Sequence, residues 1–338
     1  MNDATVVRAV DARKAYDETV ALDGVSLDVR AGEVFGLIGP NGAGKTTLVR
    51  ALTGTADAEG TLELFGAPAR ESDRSRVGLL PQEFGPPERL TARELVAYYG
   101  GLYDESRPVD EVLADVGLAA DADTWYEKLS GGQKRRACVA TALVNDPDVL
   151  FLDEPTTGID PAGRRSLWAL IEELADGGVT VFLTSHSMAE VERLSDRVGL
   201  LRDGDLVAVG TPAELVAEHG GPARLVVAGP DVEAGADPLR EAGFAVDVGA
   251  DELVLGDVAP TDLADAVTAL ADAGVTYESL TWTEPTLEDV YLRLTGETFE
   301  GAFTPGASAV EGATGDATEE PVGDGADAGA AAATEVDQ

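Results

Sequence analysis

Cysteine and positive charge are scarce in this chain, and long apolar runs are missing from it. Cys138 is the single cysteine, so neither an intrachain disulfide nor a cysteine-based zinc site can form, which fits a reducing compartment. No apolar run approaches the roughly 18 residues that a membrane-spanning helix requires, and the N-terminal segment has neither a secretory nor a twin-arginine signal. We expect a soluble chain, so any role at a membrane has to come through a partner.

Acidic residues dominate the charge. Lysine and arginine together number 24, against 63 aspartate and glutamate residues, which gives a formal net charge of -39. Such a surface repels nucleic acids and anionic lipid headgroups, so we predict no nucleic-acid partner. The acidic residues are spread along the whole length rather than gathered in one segment. We interpret them as the solvated surface of a protein from a halophile.

A glycine-rich phosphate loop stands out against this background. Residues 39–46 read GPNGAGKT, which satisfies the pattern G-x-x-x-x-G-K-[ST], and the apolar run at 34–38 is the strand expected to lead into it. Backbone N–H groups of such a loop and of the following helix point at phosphate oxygens. Lys45 would reach the β and γ phosphates, and the Thr46 hydroxyl would ligate Mg²⁺. The predicted nucleotide-binding residues are Gly39, Pro40, Asn41, Gly42, Ala43, Gly44, Lys45, Thr46 and Thr47.

Residues 1–220 alternate short β-branched runs with helical stretches, which is typical of an α/β domain around a buried sheet. We predict strands at 34–38, 149–152 and 179–183 and a helix at 163–175. The region contains one phosphate loop, and we find no internal repeat. The sequence therefore predicts one nucleotide-binding domain in each chain.

Two further regions follow this domain. Residues 221–296 predict a small α+β domain, with strands at 225–227, 253–255 and 275–280 and helices at 260–273 and 286–295. Residues 297–338 contain no lysine or arginine and almost no large apolar side chain. Such a segment cannot bury enough surface to offset its ordering entropy, so we predict a disordered acidic tail.

Two more motifs follow the phosphate loop in a fixed order. Residues 129–133 read LSGGQ, and Asp153 follows Gln133 by 20 residues, at the end of the apolar run 149–152 and directly before Glu154. With these motifs the sequence resembles the ATP-binding cassette (ABC) ATPases over roughly residues 1–220. The resemblance implies a P-loop nucleotide-binding domain with a helical subdomain, ATP and Mg²⁺ as cofactors, and ATP hydrolysis.

The adjacent acids have the chemistry that hydrolysis requires. Asp153, at the carboxyl end of a buried strand, can hold Mg²⁺, and Glu154 can polarise the attacking water as general base. The remaining site residues rest on the resemblance alone. It implies that Gln82 contacts both Mg²⁺ and the water, that His186 contacts the γ-phosphate, and that Tyr16 stacks on adenine. It also implies that Asp160 crosses a dimer interface. The signature residues that it implies contact nucleotide are Ser130, Gly131, Gly132 and Gln133.

The resemblance also implies partners. In this family LSGGQ closes over the γ-phosphate held by another subunit, so two cassettes enclose two ATP molecules head to tail. A chain with one phosphate loop then needs a second copy. Residues 83–128 look like the helical subdomain that receives the coupling helices of a separate multi-span permease. We therefore expect the chain at the cytoplasmic face of the membrane, held there by its permease.

Two details favour export over the alternatives. LSGGQ is followed by Lys134, Arg135 and Arg136, as in drug-resistance and antibiotic-export ATPases. Residues 284–292, EPTLEDVYL, resemble a segment of the accessory domain of the same exporters, and they also predict a helix capped by Thr286 with Asp289 at its third position. The alternative interpretations are an importer ATPase and a soluble ABC ATPase without transport.

Overall fold

The computed structural model describes residues 4–296, so the tail predicted at 297–338 lies outside the described residues. Strands and helices are numbered along the chain. The strands are β1 (Thr5–Tyr16), β2 (Thr19–Arg30), β3 (Val34–Ile38), β4 (Glu59–Leu64), β5 (Ala67–Pro68), β6 (Val77–Leu80), β7 (Val149–Asp153), β8 (Thr180–Ser185), β9 (Arg197–Arg202), β10 (Asp205–Gly210), β11 (Arg224–Ala228), β12 (Ala245–Val248), β13 (Glu252–Gly256) and β14 (Ser279–Thr283). The helices are α1 (Lys45–Leu52), α2 (Ala92–Gly100), α3 (Val109–Asp115), α4 (Gly131–Thr141), α5 (Pro161–Asp176), α6 (Met188–Leu194), α7 (Pro212–Leu215), α8 (Ala236–Glu241), α9 (Leu263–Asp272) and α10 (Leu287–Thr295).

A six-stranded sheet in the order β10-β9-β3-β8-β7-β6 forms the centre. Its strands are parallel except β10, which pairs antiparallel with β9. Every residue of β3, β7 and β8 is buried, as expected for continuous apolar runs in a parallel sheet covered on both faces. The predicted α/β class is confirmed. Because β3, β8 and β7 are adjacent and parallel, their carboxyl ends meet at one edge of the sheet.

A second sheet, in the order β2-β1-β4-β5, is antiparallel and was not predicted. Its buried face includes Val7, Leu27 and Leu64, which share a core with Leu48 and Leu52 of α1. This sheet carries β2 alongside the phosphate loop, so it forms one wall of the site described below.

Helices α2, α3 and α4 form a helical subdomain. Thr91 caps α2 in a capping box with Glu94, in which each residue's side chain bonds the other's backbone N–H. The packed faces place Leu95, Val112 and Leu113 in one core with the residues of α4. This subdomain orients α4, whose first turn carries the LSGGQ sequence.

The third sheet, in the order β12-β13-β11-β14, is wholly antiparallel and packs with α8 and α9 around its own core. The prediction of a strand at 275–280 was wrong for its first four residues, since β14 begins at Ser279. Gly274 ends α9 in the left-handed region at φ 70°, and the Val275 N–H donates to the Leu270 carbonyl at 3.0 Å. This helix-ending turn holds the chain that the apolar residues suggested would be extended.

Helix α10 connects the third sheet with the central one. Its buried residues Leu287, Val290 and Tyr291 share a core with Ile38 of β3 and Met188 of α6. Thr286 directly precedes α10 as predicted, and its N–H donates to Asp289 Oδ2 at 2.9 Å. The described residues fall in one unit, so the boundary at 220/221 stays a prediction. Between residues 4 and 296 the structure has no helix long and apolar enough to cross a bilayer.

Candidate active site

The phosphate loop runs from the end of β3 to the start of α1. Gly44, the residue before α1, has φ 107°, and a Cβ there would lie 2.3 Å from the Ala21 carbonyl oxygen. Only glycine fits both the conformation and the space. The Lys45 Nζ folds back over the loop and donates to the carbonyls of Gly39 at 2.8 Å and Pro40 at 3.1 Å. The loop is thereby closed around a buried cation.

A cavity of about 380 Å³ opens above this loop. It has the size of a small-molecule site and a predominantly polar or backbone lining. Ala21, on β2, is a lining residue that the sequence did not indicate. The lining residues are Ala21, Asn41, Gly42, Gly44, Lys45, Thr46, Thr47, Gln82 and Glu154.

Three predicted residues from distant parts of the chain meet at Glu154. Lys45 Nζ lies 3.2 Å from Glu154 Oε1, the Gln82 amide donates to Oε2 at 3.1 Å, and His186 Nδ1 lies 3.3 Å from the same Oε2. Gln82 follows β6, Glu154 follows β7 and His186 follows β8. The parallel order of these strands therefore brings the predicted catalytic groups together.

Burial is the largest single influence on Glu154 and opposes its ionisation, but the charge and hydrogen bond of Lys45, the charge of His186 and the hydrogen bond of Thr157 together lower its pKa below the usual range. The carboxylate is therefore the form present at neutral pH. The Glu154 backbone lies in the left-handed region at φ 46°, which is unfavourable for a residue with a side chain. Its N–H donates to Thr184 Oγ1 at 2.9 Å, so β8 holds this conformation.

Of the three oxygen donors predicted for Mg²⁺, Thr46 and Gln82 line the cavity, whereas Asp153 is not among its lining residues. Thr46 Oγ1 and Gln82 Oε1 are 3.4 Å apart, and the buried Asp153 carboxylate accepts from Thr184 Oγ1 at 2.5 Å. Residues 4–296 contain no group of three or more His, Cys, Asp or Glu side chains arranged for a metal. A hydroxyl, an amide and one carboxylate fit Mg²⁺, which usually completes its shell with water and substrate phosphates.

The signature residues do not line this cavity. Ser130 caps α4, accepting from the Gln133 N–H at 3.2 Å, and both Ser130 and Gly131 are exposed. A Cβ on Gly132 would lie 2.8 Å from the Gly163 Cα, so the first turns of α4 and α5 touch there. Asp160 caps α5 through the N–H groups of Gly163 and Ala162, which lower its pKa. The structure thus places the signature and Asp160 together on one exposed face.

Tyr16 lies at the end of β1 and is 45% exposed. The Lys14 ammonium lies 5.0 Å from the centre of its ring. Tyr16 is not among the residues that line the cavity, so its predicted stacking on adenine stays a prediction.

Comparison with known proteins identifies the chain. A family model described as ABC transporter matches residues 22–157. A daunorubicin resistance ATP-binding protein of Streptomyces coeruleorubidus is 38% identical over 307 residues, which cover 87% of this chain and 96% of the relative. The chain belongs to the ABC transporter family.

Further relatives agree with this membership. Nod factor export ATP-binding protein I of Paraburkholderia xenovorans is 38% identical to the ABC chain over 294 residues, 84% of this chain and 95% of the relative. A solved structure from Clostridium perfringens, described as part of an ABC transporter complex, aligns with a TM-score of 0.55 and 28% identity over 63% of this chain and 91% of the other. The predictions of the P-loop ABC fold and of ATPase activity are confirmed at the level of the family.

This ABC ATPase has a buried carboxylate that sequence reasoning missed. Glu190, on α6, is fully buried and accepts three neutral donors, from Thr156 Oγ1 at 3.0 Å, Ser185 Oγ at 2.6 Å and Trp168 Nε1 at 2.7 Å. These donors lie after β7, at the end of β8 and on α5. Glu190 therefore joins the segments that carry Glu154, His186 and Asp160. Its sequence signal is an acidic residue shortly after His186, which Glu192, two residues further on, shares.

Proposed function

We propose that this chain is the ATP-hydrolysing subunit of an exporter, and that two copies close head to tail on two ATP molecules. One observation carries the proposal. The hydrolytic groups meet at Glu154 inside the cavity, whereas Ser130 and Gly131 lie exposed outside it. Because the signature residues lie on a different surface from the cavity, a second copy of the chain would supply its signature to complete the site.

The residues of the cavity suit phosphoryl transfer to water. Backbone N–H groups of the loop and Lys45 bind the phosphates, and the ionised Glu154 orients and polarises the attacking water. Thr46, Gln82 and Asp153 are the residues that would hold Mg²⁺, which neutralises developing phosphate charge when bound. His186, whose Nδ1 lies 3.3 Å from Glu154 Oε2, would contact the γ-phosphate. Catalysis here is chiefly positioning and electrostatic stabilisation.

The signature face suits a role in trans. α4 has eleven residues and begins at Gly131, with its first N–H groups at an exposed end capped by Ser130. Such a helix end attracts phosphate. Asp160 starts α5 on the same face, which matches the predicted crossing of the dimer interface. ATP then closes the dimer because the γ-phosphate gains contacts with the partner's signature only in the closed form.

The permease-facing surface is the helical subdomain. Tyr98 and Leu102 are 60% and 65% exposed, the largest exposures among the large apolar side chains of the described residues. Phe84 and Tyr99 pack beside them with ring centres 5.6 Å apart. An exposed aromatic cluster in an otherwise acidic surface fits an apolar partner helix. We infer a separate multi-span permease, which would hold the chain at the cytoplasmic membrane face.

The names of the relatives favour export. One relative is named for the export of Nod factor and another for resistance to daunorubicin. An importer ATPase is the second interpretation, and a soluble ABC ATPase the third. The residues of the chain do not identify the transported substrate.

Copurification tests the permease. Native membranes are solubilised in mild detergent at high salt, and proteins bound to a tagged chain are identified. We expect a multi-span protein in stoichiometric amount, and we expect Tyr98→Asp to lose it while retaining ATP hydrolysis. The matched control is Val267→Asp, which places a charge on a partly exposed valine of α9.

Each outcome decides between the interpretations. A multi-span partner lost with Tyr98→Asp and kept with Val267→Asp supports the proposed docking surface. Copurification of a solute-binding protein with the same permease favours the importer. Recovery of the wild-type chain from the soluble fraction alone, without a multi-span protein, contradicts the transporter assignment in favour of a soluble ABC ATPase.

A further inference from the structure

We propose that Arg135 is a positioning residue that ties the signature helix α4 to the backbone of the general base in the same chain. Its guanidinium donates to three successive carbonyls at the end of β7. Nε reaches the Pro155 oxygen at 2.6 Å, and Nη2 reaches the oxygens of Asp153 at 3.2 Å and Glu154 at 3.1 Å. The side chain therefore holds the peptide units on both sides of Glu154.

The backbone conformation at Glu154 has to be fixed by neighbouring groups. Glu154 has φ 46°, and a backbone in this unfavourable region persists only where its surroundings fix it. The Thr184 hydroxyl fixes the N–H side of Glu154, at 2.9 Å. Arg135 fixes the carbonyl side. Without it the residue can relax, and its carboxylate then moves away from the attacking water.

The choice of partners is informative in a chain this acidic. Among the described residues, arginines that form ion pairs mostly pair with carboxylates at the surface. Arg135 is instead half-buried, and its hydrogen bonds go to backbone carbonyl oxygens. Burial lowers the pKa of its guanidinium. A planar guanidinium reaches these acceptors from two separate nitrogens held in one rigid fork, which the single nitrogen of lysine cannot do.

The position of Arg135 on α4 would also couple the two ATP sites of the dimer, an inference that rests on the proposed function. Arg135 lies two residues after Gln133, the last residue of the signature. In the closed dimer the signature contacts the nucleotide bound by the partner, while Arg135 holds the base that serves the chain's own nucleotide. A shift of α4 on closure is therefore transmitted to Glu154, and the two ATP sites are coupled.

Arg136 supplies a matched control. It is the next residue of α4, and its guanidinium also donates to backbone carbonyls, those of Val116 at 3.0 Å and Gly117 at 3.2 Å. Those carbonyls belong to the helical subdomain and not to the cavity. Arg135→Gln and Arg136→Gln thus remove the same kind of contact from adjacent positions, one at the base and one away from it.

The experiment compares steady-state ATP hydrolysis and ATP binding for the wild type, Arg135→Gln, Arg135→Lys and Arg136→Gln at high salt. We expect Arg135→Gln to lower kcat roughly tenfold to a hundredfold, as small misplacements of reacting groups do, with the ATP Kd and KM unchanged. Arg135→Lys should recover part of kcat, and Arg136→Gln should retain it. Glu154→Gln combined with Arg135→Gln should still dimerise with ATP, because the signature residues are intact.

Three results would overturn the inference. An unchanged kcat in Arg135→Gln removes the role altogether. Equal losses of kcat in Arg135→Gln and Arg136→Gln, or a parallel loss of ATP affinity, indicate a general structural role. A failure of the double variant to dimerise where Glu154→Gln alone does so places the role of Arg135 in closure rather than in holding the base. A wild-type chain that never dimerises contradicts the proposed function, while the kcat comparison still decides the role at Glu154.

Discussion

Lys45 Nζ lies 3.2 Å from Glu154 Oε1, and each side chain is only 5% exposed. The cation that is placed to bind phosphate is thus also the counter-charge of the general base. Breaking a buried pair leaves an uncompensated charge, so removing either partner disturbs the other. Binding and hydrolysis of ATP consequently depend on one ion pair, and variants of its two members should separate the two steps.

The first prediction concerns that separation. Lys45→Ala should lose ATP binding, because the phosphates lose their buried cation. Glu154→Gln should bind ATP at wild-type affinity or tighter, because the amide removes a negative charge from the phosphate site, yet it should lose hydrolysis for want of a base. Equilibrium binding of labelled ATP and phosphate release are the measurements. ATP binding retained in Lys45→Ala would show that Lys45 does not hold the phosphates.

The pH dependence of stability follows from the lowered pKa of Glu154. A group whose pKa is lowered on folding stabilises the fold above its unfolded value of 4.5, and this contribution disappears as the pH falls through the folded pKa. The free-energy difference between wild type and Glu154→Gln, measured by chemical unfolding without nucleotide, should therefore not decrease between about pH 7 and about pH 5. The free-energy difference should become smaller only below pH 4.5. Narrowing within the upper range contradicts the assigned direction.

Glu190 should be sensitive to loss of its charge. In Glu190→Gln the neutral amide replaces a charged acceptor, and its nitrogen either meets the Trp168 N–H, which then lacks an acceptor, or faces the two hydroxyls, which must turn from donors into acceptors. We expect a loss of about 1–3 kcal/mol in the free energy of unfolding. Trp168→Phe removes one donor, and the double variant should lose less than the sum of the single ones. The control is Glu173→Gln on the exposed face of α5, where a change within about 0.5 kcal/mol is expected. Additive losses would show that Glu190 and Trp168 are not coupled.

Salt should control stability, since we propose that the acidic surface is adapted to molar salt. With 63 acidic against 24 basic residues, repulsion acts over about 10 Å in 0.1 M salt but over only about 3 Å at 1 M. The thermal midpoint should rise between about 0.1 M and about 2 M KCl, and ATPase activity should return on restoring salt. Sucrose at matched osmolality is the control and should not replace KCl. A midpoint that does not move with KCl rejects the adaptation.

Part of the site could be predicted from apolar runs, as for Glu154 after the run 149–152, whereas Gln82 and His186 were predicted from the resemblance to ABC ATPases. Glu154, Gln82 and His186 each follow a parallel strand of the central sheet, and adjacent parallel strands bring such residues to one edge. The phosphate loop was predictable from its glycine pattern. Gly44 has to be glycine because its φ is positive and because a Cβ there would clash with the Ala21 carbonyl.

Other features depend on contacts between segments far apart in the chain, which local patterns do not record. Arg135 was read only as part of a family-like sequence, although its carbonyl partners lie 18–20 residues further on. Glu190 gives no local signal for its burial, because its three donors come from three other segments. The antiparallel sheet containing β1 was missed because its pairing with β4 joins strands about fifty residues apart.

The central claim is that each ATP site combines the general base of one chain with the signature of the other, in a dimer that forms when ATP binds. Its most direct test is the mass of Glu154→Gln in high salt, by light scattering after size exclusion, with and without saturating MgATP. We predict a monomer without nucleotide and a dimer with it. A Glu154→Gln chain that also carries Ser130→Arg, which blocks the exposed signature, should remain monomeric. A Glu154→Gln chain that stays monomeric in saturating MgATP would contradict the account.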